Sequence, residues 1–167
     1  MADGLPDGLR IERLAAEHAE AVLAFEVENR AYFAASVKDR GDDYFTEFPA
    51  RHAALLSEQE VGTIQFHLVL DGDQVIGRVN LVDLADGSAE FGYRIAEKAA
   101  GRGVATAAVG KVLELAAAQY GLTSLRAGTS ARNKASQAVL LRAGFVQTGE
   151  VVAGDEPQVF YTRQLTA

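Results

Sequence analysis

Apolar and polar residues alternate from Leu9 to Leu14, the two-residue period of a half-buried strand. From Ala15 to about Glu28 the period lengthens, with Ala19, Val22, Leu23 and Phe25 at near-helical spacing. Residues 29–45 keep neither period and read as a broken helix or loop. Thr46 to Glu60 reads as a helix, capped by Thr46 with Pro49 in its first turn. Three strands follow, Thr63 to Leu70, Gln74 to Val82 and Ser88 to Ile95, with turns expected at Asp71-Gly72 and Asp86-Gly87. In the third strand, alternation sets Ala89, Phe91, Tyr93 and Ile95 on one face and Glu90, Gly92 and Arg94 on the other. A helix from about Gly103 to Tyr120 has Ala105, Val109, Val112, Leu113 and Ala116 as its buried stripe and stops at Gly121. Leu122 to Ala127 reads as a strand and Asn133 to Ala143 as a helix stopped by Gly144. Phe145 to Val152 and Gln158 to Leu165 form a closing hairpin across Ala153 to Pro157. The order β-α-α-β-β-β-α-β-α-β-β implies an α/β chain with one mixed sheet and helices on both faces.

Composition narrows the function classes. At 167 residues the chain fits one domain, residues 1–167, with 49% hydrophobic and 23% charged residues, the balance of a globular protein. No apolar run approaches the roughly 18 residues of a membrane span. The N-terminus, Met-Ala-Asp-Gly-Leu-Pro-Asp, lacks the basic and apolar regions of a signal peptide, so a cytoplasmic protein is expected. There is no cysteine, which excludes disulfides, thiolate metal sites and a cysteine nucleophile. His18, His52 and His67 are scattered without metal-ligand spacing and read as surface or packing residues.

Charge is distributed unevenly. Residues 1–60 hold thirteen acids and six bases, whereas residues 94–142 hold eight bases and two acids. The first segment should favour a cationic partner and the second an anionic one. A net charge of −7, with no basic run interleaved with aromatics, argues against nucleic acid.

Two motifs carry chemistry. Ser88 to Gly110 reads as strand, glycine-bearing loop and helix start. Gly101 and Gly103 allow close backbone approach, and the amides from Arg102 to Thr106 leave the helix start towards a ready anion site. The absence of Gly-Lys-Ser/Thr excludes a P-loop, and three antiparallel-type strands before the loop disfavour a dinucleotide fold. The second motif is Asn133-Lys-Ala-Ser136 running into Leu140-Leu-Arg-Ala-Gly144-Phe145; taken alone, its asparagine and glycine read as helix cap and helix stop.

Together, in this order, the motifs resemble the GNAT superfamily of acyl-CoA-dependent N-acetyltransferases, over essentially the full length. Glu28-Asn29-Arg30 before an aromatic pair, Glu90-Phe-Gly-Tyr93 and Asn133-x-x-Ser136 look most like the branch that acetylates ribosomal-protein N-termini, the RimJ/RimL type. The chain departs from the pattern at Ala100, where the signature usually has Gln or Arg, and at Leu140, where many members carry a tyrosine general acid.

The resemblance implies a mostly antiparallel sheet with a splayed strand pair, opening near Ile95, and acetyl-CoA as the donor. It implies that Tyr93 and Ile95 offer backbone bonds to the pantetheine arm. Gly101, Arg102, Gly103, Val104, Ala105 and Thr106 would hold the pyrophosphate, and Asn133 and Ser136 would contact the cofactor from the second helix. Glu90 is the implied general base, or else a structural partner of Arg94. Ser136 is the candidate acid for the departing thiolate. Glu28, Asn29, Arg30, Tyr32 and Phe33 are expected to line the acceptor cleft, between the first helices and the final hairpin. The acceptor implied is an amine, foremost a peptide or protein N-terminus, and the family admits a homodimer. A small-molecule acetyltransferase acting on an amino acid, aminoglycoside or polyamine, and a non-catalytic acyl-CoA-binding module, are the alternatives.

Overall fold

The computed structural model describes residues 5–151 and 157–165. Seven strands form one sheet: β1 (Leu9–Arg13), β2 (Gln65–Asp71), β3 (Gln74–Ala85), β4 (Ser88–Ile95), β5 (Ser124–Ser130), β6 (Val146–Val151) and β7 (Gln158–Gln164), in the spatial order β1-β2-β3-β4-β5-β7-β6. All neighbours are antiparallel except β4 and β5. The helices are α1 (Ala19–Glu28), α2 (Arg30–Ala34), α3 (Asp42–Thr46), α4 (Phe48–Val61), α5 (Val104–Ala118) and α6 (Lys134–Arg142), with 3-10 turns at Ala16–His18 and Glu97–Ala99.

Two adjacent residues of β3 show that helices cover both sheet faces. Arg78 meets Glu26 of α1 at 2.7 Å. Val79, one residue on and therefore on the other face, stands opposite His67 of β2, which meets Tyr120 beyond α5. β2 is buried from Gln65 to Leu70, as a strand covered on both sides must be. α5 packs through Val104, Ala108, Val109, Val112, Leu113 and Ala116, the expected stripe rotated slightly so that Ala105 lies at its edge.

Several boundaries differ from expectation for identifiable reasons. Thr46 does not cap α4. It ends α3, its hydroxyl donating to Asp43 O at 3.2 Å, and α4 begins at Phe48 with Pro49 in its first turn. The first hairpin turns at Gly72-Asp73, because Asp71 still pairs with Gln74 and Gly72 takes the positive φ of 60°. Leu122 is not part of a strand, since its amide closes the end of α5 on Ala116 O at 3.0 Å, and β5 starts at Ser124. The turn expected between β6 and β7 lies, apart from Pro157, outside the described residues.

His67 marks a pH limit of the core. Its Nε2 lies 2.7 Å from the Tyr120 hydroxyl, and burial pushes the imidazole down to about 4 from 6.5. The unfolded chain therefore binds this proton first, and folding stability falls as pH drops from about 6.5 towards 4. The loss attributable to His67 amounts to about 3 kcal/mol. Urea midpoints measured across that range should fall steeply for the parent and distinctly less for His67→Gln.

Candidate active site

β4 and β5 pair only at Ser88–Ser124, Ala89–Leu125 and Glu90–Arg126, and then diverge. The opening thus begins at Phe91, four residues earlier than the expected position at Ile95. At its root the Phe91 ring packs on Phe145 at 5.4 Å, where Gly144 has ended α6 and turned the chain back towards the sheet.

The divergence frees one edge of β4. Ala96 N–H donates to Ile76 O at 2.9 Å, on the β3 side. Backbone groups alternate in direction along a strand, so those of Arg94 and Gly92 also face β3. The N–H and C=O of Phe91, Tyr93 and Ile95 consequently point across the opening, free to pair with an extended ligand. This is the edge that a pantetheine arm requires.

The loop beyond β4 supplies an anion cradle. Gly101 and Gly103 have φ of 75° and 77°, and a Cβ built on either would enter open space. Ala107 donates the first α5 helical bond, to Gly103 O at 3.1 Å, which leaves the amides of Val104, Ala105 and Thr106 without helical acceptors. They stand at the positive end of a 15-residue helix. The cradle is held from behind by Asn29, a buried residue whose Nδ2 donates to Phe25 O at 2.9 Å and whose Oδ1 accepts from Glu97 N at 3.0 Å. Asn29 thereby ties the end of α1 to the turn leading into Gly101.

Two adjoining cavities occupy the opening. One, about 520 Å³, runs from Tyr93, Arg94 and Ile95 past Gly101 and Gly103 to Thr106 and across to Arg142 of α6. The other, about 740 Å³, lies between the 34–38 segment after α2, Phe91 to Tyr93, and Ala127 to Ser130 of β5. They share Ser36, Val37, Tyr93, Asn133 and Ser136, so these five mark where a donor in the first, the donor cavity, would meet an acceptor in the second, the acceptor cavity. Asn133 caps α6 through its Oδ1, which accepts from Ser136 N at 3.1 Å, and this cap sets Ser136 at the junction. Burial raises the Tyr93 phenol pKa, an effect that its hydrogen bond with Ser136 only partly offsets.

The structure does not gather all the expected residues here. Glu90 is exposed at the last β4–β5 pair and lines neither cavity. Arg94, its alternative partner, turns instead to Glu26 at 3.6 Å. Arg102 is exposed and reaches back to Lys98 O at 3.5 Å; the cations lining the donor cavity are Arg94 and Arg142. Of the acceptor candidates, Tyr32 and Phe33 line the donor cavity, whereas Glu28 faces Lys98 at 3.7 Å and Arg30 is bound to Asp39 and Asp42. Those ion pairs arise because the aromatics of α2 occupy the cleft side of that helix. Ser36, Val37 and Arg142 were missed by sequence reasoning; Arg142 shares a face of the motif helix with Ala135, Ala138 and Val139, an i, i+3, i+4, i+7 spacing that could have indicated it.

An open strand edge leading to a helix-terminal anion cradle, with a second cavity beyond, defines a site for a long phosphate-bearing acyl carrier and a separate acceptor. Comparisons with known proteins agree. The acetyltransferase (GNAT) domain matches residues 9–146, and the chain belongs to this family. The probable N-acetyltransferase YjcK of Bacillus subtilis (strain 168) is 30% identical over 138 residues, covering 78% of this chain and 76% of that protein. The fold superposes on the ribosomal-protein-S5-alanine acetyltransferase from Vibrio fischeri with a TM-score of 0.89 (19% identity, 95% and 94% of the two chains). For the ribosomal L7/L12 α-N-protein acetyltransferase RimL in complex with coenzyme A, the TM-score is 0.86 (16% identity, 96% of each chain). The chain is an acetyl-CoA-dependent N-acetyltransferase.

The residues present fit acetyl-CoA, which when bound supplies a thioester carrying the acetyl group. Gly103→Val tests the cradle. A β-branched residue is strained at φ of 77° and sets two methyl groups at the mouth of the donor cavity. The KM for acetyl-CoA should rise about tenfold or more, equivalent to at least about 1.4 kcal/mol of binding, in steady-state thiol-release assays.

Proposed function

We propose that this chain transfers acetyl to the N-terminal α-amine of a protein or peptide, directly and within a ternary complex. One observation carries the reading: among the described residues lining the two cavities there is no Asp or Glu. A lysine, with a pKa of about 10.4, needs a strong adjacent base before it can attack. An α-amine, at about 7.7–8.0, is already substantially neutral near pH 7.5 and needs little help. Structures of similar fold include acetyltransferases described as acting on ribosomal-protein α-amines, which is consistent with this acceptor.

In this reading Glu90 acts at one remove. It lies on the same face of β4 as Gly92, which lines the acceptor cavity, and takes the amine proton through water. The amine attacks the thioester carbonyl, and the carbon–sulfur bond breaks. Tyr93, kept protonated by its burial, donates the proton to the departing sulfur, with Ser136 holding the phenol in place. Leu140, buried at the wall of the acceptor cavity, brings no polar group of its own.

Thiol release measured against a panel of peptide N-termini, free amino acids, polyamines and aminoglycosides tests the proposal. Peptides should give the highest kcat/KM. Efficient turnover of small amines with no peptide turnover would replace it with a small-molecule acetyltransferase.

A further inference from the structure

We infer that the acceptor is an acidic polypeptide, with Asp or Glu side chains close behind its reactive N-terminal amine. The inference rests on the α-amine reading above and narrows it.

The acid-rich N-terminal third suggests a cationic partner, but folding pairs several of those acids elsewhere. Glu12 is bound by Arg10 and His18, Glu47 by Arg51, and Asp39 and Asp42 by Arg30. Glu26 is buried beneath α1 among three guanidiniums. No acid from residues 5–60 lines either cavity.

Among the described residues the charges that line the cleft are positive: Arg94 and Arg142 in the donor cavity, Lys38 and Arg132 in the acceptor cavity. Arg142 stands in the donor cavity with the helix-terminal amides, where the donor's phosphates account for it. Lys38, on the wall of the acceptor cavity, is not accounted for in this way, and Arg94 lies at the inner end of the donor cavity, beside Tyr93 where the two cavities join. Arg94 is on the opposite face of β4 from Tyr93 and Ile95, towards α1 and α2. Its one carboxylate partner among the described residues, Glu26, is already engaged by Arg40 at 2.8 and 3.1 Å and by Arg78 at 2.7 Å, so Arg94, at 3.6 Å, is poorly neutralised. Burial, together with the nearby charge of Arg40, lowers its pKa, as an under-compensated cation requires. Lys38 is exposed on the acceptor-cavity wall and belongs to none of the ion pairs among the described residues. A cleft whose described lining charges share one sign focuses its field on what enters, even in a chain with net charge −7. It attracts carboxylates and repels lysines trailing the amine.

Two peptides of equal length and identical N-terminal residue, one with Asp/Glu and one with Lys at positions two to four, provide the test. The acidic peptide should have a kcat/KM about tenfold or more above that of the basic one at low ionic strength, and the ratio should shrink with added salt. Lys38→Glu, on an exposed segment, should reduce the ratio several-fold or invert it. Equal rates, a preference for the basic peptide, or a preference that Lys38→Glu leaves unchanged would each overturn the inference. Turnover of free amino acids or polyamines with neither peptide accepted would be a different failure, that of the α-amine reading itself.

Discussion

Glu26→Ala should lower the melting temperature by about 10 °C, corresponding to roughly 3–5 kcal/mol of stability in a domain of this size. Glu26 is only 1% exposed and is, among the described residues, the sole carboxylate in ion-pair contact with Arg40, Arg78 and Arg94, of which Arg78 is itself 3% exposed. Removing it leaves positive charge buried without a counter-ion, which costs more than the pairs contribute when intact. By comparison, loss of the exposed Glu47–Arg51 pair should change stability by less than about 0.5 kcal/mol. Burial pushes the Glu26 carboxyl up, but Arg40 and Arg78 outweigh that and hold it below the ordinary 4.5. Its contribution is therefore complete above that pH and is lost in acid as the carboxyl protonates. The variant should also bind acetyl-CoA more weakly, because Arg94 lies between the two residues, Tyr93 and Ile95, whose backbone faces the pantetheine path. Differential scanning calorimetry and the KM for acetyl-CoA would check both effects.

Tyr93→Phe should lower kcat about a hundredfold while leaving the KM for acetyl-CoA within about twofold. The substitution keeps the ring, which packs beside Phe91 at a centroid distance of 6.4 Å, and removes only the hydroxyl that meets Ser136 at the cavity junction. A thiol, with a pKa near 8.5, is a good leaving group, so the loss falls at the lower end of what general acids provide. Ser136→Ala should cost less under the proposed mechanism, since it removes the partner of the proposed acid; a larger loss than in Tyr93→Phe would return the acid role to Ser136. Steady-state rates of thiol release at saturating donor would measure both; an unchanged kcat in Tyr93→Phe would refute the assignment.

What was legible in the sequence was local. Gly101 and Gly103 punctuate the chain where β4 gives way to α5, and the 3.6-residue stripe from Val104 to Ala116 can be read without knowing the sheet it covers. Asn133 likewise announces a helix start by its chemistry, and the cap is there. What was not legible depends on distant pairing. Glu26 meets residues 14, 52 and 68 positions away along the chain, and no local pattern encodes that association. β7 separates β5 from β6, an order fixed by register across the sheet and not by hairpin chemistry alone. The point where β4 leaves β5 depends on the packing of Phe91 on Phe145, 54 residues later. Glu28, Asn29 and Arg30 looked like cleft residues because they are polar beside aromatics. The turn of α2 sends the aromatics to the cleft and the polar groups into ion pairs and a backbone tie.

The most direct measurement uses one peptide that carries both a free N-terminal α-amine and an internal lysine, incubated with the protein and acetyl-CoA and mapped by tandem mass spectrometry. The account predicts a single acetyl group on the N-terminal nitrogen, its formation slowed strongly in Tyr93→Phe and only modestly in Glu90→Gln. Acetylation of the lysine in preference to the terminus would contradict it, as would an unmodified peptide under conditions in which the same preparation acetylates a small polyamine.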